Sequence, residues 1–246
     1  MGIISQKTEE IKAYFDQIAA KRLKIRKRNS YYWDNITDYC NYFIHDEDSV
    51  LEIGCGNGEM LASLKGKRKM GIDISPEMIK NAKNNFSDLE IDFELMPAEN
   101  LSFNQKFDVV ILSNLVGYVD DIQMVFEELK KVCHRQTRII VTFYNYLWEP
   151  ILKFSERLGL KLKTPAQNWL SQADIANLLY LSGFDVYRQS KRMLIPVNIP
   201  IISWFFNKYI SRLPLIRSWC INQFCFAKPD ADWIRVNDNT DYSVSV

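Results

Sequence analysis

The chain has 246 residues, of which 47% are apolar and 25% charged, and its formal net charge is +1. This suffices for one large domain with a full core, whereas two ordinary domains would be cramped. The balanced charge gives no global indication of nucleic-acid binding. Five cysteines without metal-ligand spacing, and a beginning without an apolar leader core, predict a reducing, cytoplasmic setting and no metal site.

Residues 1–45 are predicted to form a helical cap. Apolar residues recur at helical spacing in the first part, at Ile11, Tyr14, Phe15, Ile18 and Ala19. A second helix is predicted from Tyr31 to Phe43. Six of the eight residues from Lys21 to Arg28 are basic, which indicates either a solvated helix face or attraction to the phosphate of a lipid carrier or membrane surface.

Strands and helices alternate after the cap, which predicts an α/β fold with a mostly parallel sheet and helices on both faces. Strands are predicted near residues 50–53, 69–73, 91–94, 107–112, 138–144, 184–189 and 219–227. Helices are predicted near residues 57–65, 76–85, 120–132 and 171–182. Ser75 and Pro76 have the residue types of an N-cap and a first helical position.

The first predicted strand runs into a loop with glycines on alternate positions, 54, 56 and 58. Such a loop lets backbone N–H groups and a helix N-terminus approach a ligand closely. A carboxylate about 20 residues later, here Asp73, suits the two hydroxyls of a ribose. A dinucleotide motif would need its third glycine at position 59, where this chain has Glu59, so the pattern predicts a nucleoside site without a pyrophosphate cradle.

The stretch from Val50 to Asp73 resembles the first two motifs of class I S-adenosylmethionine (SAM) dependent methyltransferases. The resemblance implies a Rossmann-like sheet of seven strands, mostly parallel with an antiparallel last strand, and SAM as cofactor. It implies that Asp73 holds the ribose and that the glycines line the amino acid end. The predicted cofactor-binding residues are Glu52, Gly54, Cys55, Gly56, Gly58, Asp73, Ile74, Ala98, Glu99, Ser113 and Asn114.

The predicted adenine end departs from that family. An acidic residue commonly precedes a small residue after the third strand, whereas here Pro97 precedes Ala98. Proline offers neither a side-chain acceptor nor a backbone donor. We therefore expect adenine to depend on the Ala98 backbone, on Glu99 as a substitute acceptor, and on apolar contact with Ile74.

The predicted catalytic residues lie after the fourth and fifth strands. A base helps methyl transfer if the acceptor is a hydroxyl, yet His45 and His134 are both predicted at the amino ends of strands, the edge away from the ligand. Where many relatives carry a histidine after strand four, this chain has Gly117 and Tyr118. The remaining candidates are Tyr118, Tyr144 and Glu149, with an orienting role for the tyrosines, a helix N-terminal acid at Glu149, or transfer by proximity alone as alternatives.

Two insertions exceed the minimal fold, at residues 144–170 and 192–218, and both are predicted to act as lids. The second contains an apolar stripe at helical spacing, comprising Ile201, Ile202, Phe205, Phe206, Tyr209 and Ile210. The stripe predicts either packing over the sheet or contact with lipid or a membrane. No stretch has the length of apolar sequence needed to span a bilayer.

Residues 230–246 are predicted to be a linker followed by the start of a truncated domain, which leaves residues 1–229 as the methyltransferase domain. The chain resembles the methyltransferase half of bacterial bifunctional proteins in which such a domain precedes a family 2 glycosyltransferase. That resemblance implies O-methylation of a sugar or lipid-linked sugar in polysaccharide or glycolipid assembly. The expected location is cytoplasmic, with peripheral contact at the inner face of the membrane as an alternative. The alternatives are methylation of a quinone, lipid or other small molecule, and a catalytically weak SAM-binding scaffold.

Overall fold

The computed structural model describes residues 5–103, 105–158 and 164–230. Within these ranges one sheet contains seven strands, β1 to β7 in chain order, at Ser49–Ile53, Arg68–Asp73, Ile91–Leu95, Phe107–Ser113, Cys133–Tyr144, Phe184–Arg192 and Asn222–Pro229. Their order across the sheet is β3-β2-β1-β4-β5-β7-β6. The first five strands are parallel, and β7 runs antiparallel to both neighbours. The predicted Rossmann-like fold with an antiparallel last strand is confirmed.

Nine α-helices, α1 to α9, surround the sheet in the described residues. They are Gln6–Arg28, Ser30–Asn41, Glu59–Ser63, Pro76–Asn85, Ile122–Glu128, Glu149–Arg157, Gln172–Leu181, Ile202–Lys208 and Pro214–Arg217. The helix predicted over 120–132 is shorter, because its end tightens into a 3-10 turn at Leu129–Lys131. Ser75 caps α4 by accepting a hydrogen bond from Met78 N, with Pro76 in the first turn as predicted.

The core forms two apolar layers, one on each face of the sheet. The central strand β4 contributes to both, with Val109 and Ile111 in one layer and Val110 and Leu112 in the other. All four side chains are fully buried, as expected for a central parallel strand covered on both faces. All five cysteines are also buried and free, so they contribute packing volume.

Strand β5 begins five residues earlier than predicted. Cys133 already pairs with Phe107, and a register shift between Phe107 and Val109 separates this pair from the regular ladder. Thr137 Oγ1 donates a hydrogen bond to Phe107 O at the irregularity. A buried polar contact of this kind leaves no trace in the apolar pattern, because Thr137 reads as an ordinary polar residue before the strand.

Candidate active site

The loop between β1 and α3 has its shape because of three glycines with left-handed backbones. The φ angles of Gly54, Gly56 and Gly58 are +77°, +57° and +82°, a region that other residues rarely adopt. A Cβ atom at Gly58 would also lie 2.7 Å from the Phe93 ring, and one at Gly54 would lie 2.8 Å from Leu115 Cδ1. The loop therefore requires glycine for both conformation and space.

Asp73 ends β2, and two backbone N–H groups orient its carboxylate. Gly56 N donates to Oδ2 over 2.8 Å, and Ser75 N donates to Oδ1 over 2.9 Å. Each oxygen keeps a further lone pair for a hydroxyl donor. Burial raises the pKa of Asp73, while both backbone donors and the positive charge of Arg22 oppose that rise. The geometry suits the ribose role predicted for Asp73.

The turn after β3 lies beside Asp73. Met96 N donates a hydrogen bond to Asp73 O over 3.1 Å. Ala98 is buried, whereas Ile74 and Glu99 are half-buried. Cys55 points its thiol into the core, where a Cβ at Gly71 would lie 2.9 Å from Sγ, so only the backbone of Cys55 is available to a ligand.

Several buried side-chain oxygens have no hydrogen-bond partner among the described residues, and two of them belong to predicted cofactor ligands, Glu52 Oε2 in β1 and Asn114 Oδ1 after β4. Burial raises the pKa of Glu52 to about 8, with the positive charge of Arg26 opposing the rise. A buried acceptor without a donor costs about 1–3 kcal/mol. A ligand that brings N–H donors would remove that cost, so Glu52 and Asn114 fit the amino groups of SAM.

Helix α1 forms a roof over the site. Asp16 Oδ1 accepts a hydrogen bond from Ser75 Oγ, Asn57 Nδ2 donates to Ala19 O over 3.1 Å, and Lys7 Nζ donates to Asn168 Oδ1 over 3.2 Å. Lys7 Nζ also donates to Val119 O over 3.4 Å, so the helix contacts the loops after β1, β2 and β4 and residue 168. The predicted helical cap therefore covers the carboxyl edge of the sheet.

The basic residues of α1 lie on two sides of the helix, one facing solvent and one facing the glycine loop and α2. The two sequence hypotheses treated the run as a single surface. Lys21, Lys24, Lys27 and Arg28 are exposed, whereas Arg22 and Arg26 are half-buried. The Arg22 guanidinium lies over the glycine loop, with a Cβ at Gly56 only 3.4 Å from it. Arg26 stacks over Trp33, 5.0 Å from the ring centroid. The positions 15, 19, 22 and 26 lie on one face of the helix. This spacing was the signal in the sequence that could have separated Arg22 and Arg26 from the exposed basic residues.

Tyr118 and Tyr144 line a common cavity of about 20 Å³, together with Asn114, Gly117, Gln167 and Trp169. Gln167 Nε2 donates a hydrogen bond to Tyr118 Oη, and Tyr144 stacks on Tyr32 with ring centroids 5.9 Å apart. Burial raises the pKa of both Tyr118 and Tyr144 above the usual value of about 10. Both hydroxyls are therefore protonated at neutral pH, which suits orienting donors better than bases.

Glu149 has a different environment. It is the first residue of α6, and its Oε1 accepts a hydrogen bond from Lys153 Nζ over 2.6 Å, one helical turn onward. That contact is typical of a helix N-terminal acid. Ser113 Oγ lies 3.4 Å from Thr142 Oγ1, within the sheet ladder. His134 Nε2 lies 3.1 Å from Asp108 Oδ1, at the amino ends of β5 and β4 as predicted.

Residues 51–141 match the family model described as a methyltransferase domain. The malonyl-[acyl-carrier protein] O-methyltransferase of Acetivibrio thermocellus is 31% identical over 160 residues, which cover 59% of this chain and 56% of that protein. The chain thus spans about half the length of that curated relative.

Two solved structures share the fold at low sequence identity. A SAM-dependent methyltransferase from Thermotoga maritima, described as a possible histamine N-methyltransferase, has a TM-score of 0.68 and 16% identity, with 89% of this chain and 99% of that chain covered. The magnesium protoporphyrin IX methyltransferase of Synechocystis PCC 6803 with bound SAH, the demethylated cofactor, has a TM-score of 0.62 and 15% identity, covering 92% and 100%. The fold is that of class I methyltransferases.

Proposed function

We propose that this protein transfers a methyl group from SAM to a hydroxyl group of a small acceptor. The observation that carries the proposal is the carboxylate of Asp73, oriented by Gly56 N and Ser75 N beside a loop that only glycines can form. The methyltransferase domain match over residues 51–141 supports the same reading. When bound, SAM supplies a methyl group already activated by the positive sulfonium.

The chain's own residues then bind, orient and exclude water. Asp73 would accept hydrogen bonds from the ribose hydroxyls, and Glu52 would accept one from the ammonium of the methionine part. Arg22, which lies over the glycine loop, would pair with the carboxylate of the methionine part by a charge-assisted contact. Asn114 Oδ1, also without a partner among the described residues, would accept a further hydrogen bond from that ammonium.

The acceptor enters the cavity between Tyr118 and Tyr144. A cavity of about 20 Å³ has room for one or two water molecules, so binding requires the loop at residues 167–170 or the roof helix α1 to shift outward. With both tyrosines protonated, their hydroxyls would align the acceptor oxygen, and the proton of the acceptor hydroxyl would be released to solvent with the products. Proximity and exclusion of water account for the acceleration. Glu149, paired with Lys153, would have to leave that contact to serve as a base.

The acceptor class we propose is a sugar or lipid-linked sugar, on the resemblance to proteins with a following glycosyltransferase domain. The supporting end of the chain, residues 231–246, lies outside the described residues. The relatives named above are described as acting on other acceptors, malonyl-[acyl-carrier protein] and magnesium protoporphyrin IX. A quinone, lipid or other small molecule is therefore the second candidate, and a SAM-binding scaffold is the third.

Calorimetry with SAM and with its demethylated product tests cofactor binding. Asp73→Ala is compared with Asp92→Ala, which changes an exposed aspartate of β3. Binding that depends on Asp73 and not on Asp92 supports the cofactor site. Absence of binding by the unaltered protein refutes it. Transfer of labelled methyl to a panel of sugars, lipid-linked sugars, quinones and phenols then ranks the acceptors. Methylation confined to quinones or phenols rejects the sugar proposal, and binding without transfer to any class favours the scaffold.

A further inference from the structure

Helix α8 and the 3-10 turn Ile210–Arg212 that follows it place their polar side chains inward. Ser203, Asn207 and Ser211 follow one another at four-residue spacing, and Ser203 and Ser211 are only 1% and 7% exposed. Asn207 Oδ1 accepts hydrogen bonds from the backbone N–H groups of Leu194 and Ile195, 2.7 and 3.0 Å away. The two serine hydroxyls donate to backbone carbonyls over 2.6 Å each. The buried side of this helix is therefore held by hydrogen bonds.

The apolar side chains of the same segment point outward. Half of the exposed large apolar side chains of the described chain lie between residues 193 and 221, namely Val197, Ile199, Ile201, Ile202, Trp204, Phe205, Phe206, Tyr209, Leu213, Leu215 and Trp219. Leu215 and Ile201 are exposed by 86% and 81%. A helix at a water-facing surface shows the opposite arrangement. Single exposed apolar residues are ordinary, but a concentration of this kind marks an interaction surface. We call these eleven side chains the insertion face.

The charged residues of the segment that carries the insertion face have one sign. No aspartate or glutamate occurs from residue 186 to residue 229, and the basic residues there are Arg188, Lys191, Arg192, Lys208, Arg212, Arg217 and Lys228. Lys208 Nζ lies over Trp204, 4.9 Å from the ring centroid. Lys and Arg side chains of this kind cover apolar surface with their stems and present the charge at its border.

The basic end of α1 adjoins the insertion face. Asn207 Nδ2 donates a hydrogen bond to Tyr31 Oη over 3.0 Å, and Tyr31 follows the exposed Lys27 and Arg28 by only a few residues. At the other side, Trp148 Nε1 donates to Trp219 O over 2.8 Å, which joins the face to the segment after β5. The apolar and basic surface thus continues toward the carboxyl edge of the sheet.

We propose that the insertion face seats on the surface of a lipid bilayer with anionic headgroups. The exposed tryptophans, Trp204 and Trp219, and the aliphatic side chains enter the interfacial region, while Lys208, Arg212 and Arg217 meet the headgroups. None of the described helices is long and apolar enough to cross a membrane, and α8 and α9 have seven and four residues. The contact is therefore peripheral.

A second copy of this chain fits the face less well. A symmetric dimer brings the same patch of both copies together, so it would set the basic residues of one insertion against those of the other with no acidic partner in the segment. An anionic surface reverses the sign of that interaction. The inference stands apart from the proposed methyl transfer, because it uses none of the cofactor residues.

Co-sedimentation of the full chain with vesicles tests the proposal. We expect binding to vesicles of phosphatidylcholine mixed with phosphatidylglycerol, and much weaker binding to phosphatidylcholine alone. The pair Trp204→Ser and Phe205→Ser should weaken binding at least tenfold, since each removes an exposed ring. The matched pair Tyr180→Ser and Leu181→Ser, 67% and 58% exposed on α7, should leave binding unchanged.

Charge has its own matched comparison. The triple variant Lys208→Gln, Arg212→Gln and Arg217→Gln should weaken binding to the mixed vesicles by roughly a hundredfold. The triple variant Lys65→Gln, Arg68→Gln and Lys83→Gln removes three exposed charges elsewhere and should bind normally. Near-ultraviolet circular dichroism checks that each variant keeps its fold.

Three results would overturn the proposal. They are failure of the unaltered protein to bind either vesicle, equal losses in the matched pairs, and a dimer in analytical ultracentrifugation that Trp204→Ser dissolves while lipid binding is absent. The last result would assign the face to self-association. All of these readouts are independent of SAM binding, so failure here leaves the proposed function untouched, and the reverse also holds.

Discussion

The glycine loop and helix α8 bury opposite kinds of surface. Around the glycine loop, apolar side chains such as Leu115 and Phe93 pack beneath the backbone, and polar groups point to the carboxyl edge of the sheet. In α8 the polar side chains Ser203 and Asn207 are turned inward and the apolar ones outward. The first arrangement exposes hydrogen-bonding groups to a small ligand, and the second exposes hydrophobic area to an extended apolar surface. The kind of group that a region leaves exposed, hydrogen-bonding or hydrophobic, therefore indicates the kind of ligand that the region faces.

Loss of the Asp73 carboxylate should have the largest effect on the ligand side. Asp73→Ala removes two charged hydrogen bonds to the ribose, each worth about 1.5–3 kcal/mol, so SAM affinity should fall by about two orders of magnitude or more. Titration calorimetry measures it, and Asp92→Ala provides the control. Near-normal SAM affinity in Asp73→Ala would show that the cofactor does not bind at Asp73 and the glycine loop.

Crowding at the glycine loop should have the next largest effect. Gly58→Ala combines a left-handed φ of +82° with a Cβ 2.7 Å from the Phe93 ring. Backbone strain and overpacking each cost about 1–3 kcal/mol, so the urea midpoint of unfolding should fall clearly. Gly117→Ala is the control, because its nearest neighbour would be 3.9 Å away. Equal midpoints for the two variants would contradict the account of the loop.

The sequence predicted the parts of the site that are continuous along the chain. The glycine loop, β2 and Asp73 lie within 24 residues, where a strand, a turn and an acidic residue leave a local pattern. Arg22, Tyr32 and Gln167 come from elements that only tertiary packing brings to the same edge. Helical spacing places Arg22 on the face of α1 that carries Phe15 and Ala19, but no local pattern assigns any of the three to the site. All seven strands were predicted because apolar runs and alternation determine them locally.

The orientation of α8 could not be decided in the same way. A stripe of apolar residues shows that a helix is amphipathic but does not show which side faces the core. Packing over the sheet was the usual expectation, yet Phe205 and Tyr209 are 44% and 47% exposed. The decisive signal is the row Ser203, Asn207 and Ser211, whose hydrogen bonds to nearby backbone groups exist only in the folded insertion.

Removal of the Arg22 charge should reduce SAM affinity by about ten- to a hundredfold. The estimate corresponds to one charged hydrogen bond of about 1.5–3 kcal/mol to the methionine carboxylate. Arg22→Gln keeps the length and polarity of the side chain, and calorimetry with SAM gives the loss. Lys24→Gln removes an exposed charge from the same helix and should bind normally. Similar losses in both variants would mean that α1 acts only through its overall charge.

The inward polar stripe of α8 should be more important for stability than the outward apolar one. Asn207→Leu leaves two backbone N–H groups without their acceptor, which costs about 1–3 kcal/mol. Leu215→Gln changes a side chain that is 86% exposed, and its effect should lie within about 0.5 kcal/mol. Chemical denaturation of both variants measures the difference. If Leu215→Gln proved the more damaging change, the insertion would have to pack in some other way in solution.

The smallest effect on SAM affinity is expected for Glu52, and it shows as a dependence on pH. Its pKa in the folded protein is raised to about 8 from 4.5, so the folded state holds a proton that the unfolded state has already lost between those values. The stability contributed by that proton is fully present below about pH 4.5 and is lost as the pH rises through 8. Glu52→Gln should remove this part of the pH dependence in thermal unfolding.

An ammonium group favours the charged carboxylate, so SAM binding should release a proton near pH 7 and strengthen severalfold as the pH rises toward 8. Calorimetry in buffers of different ionisation enthalpy counts that proton, and proton release unchanged in Glu52→Gln would exclude Glu52 as the partner of the cofactor's amino group.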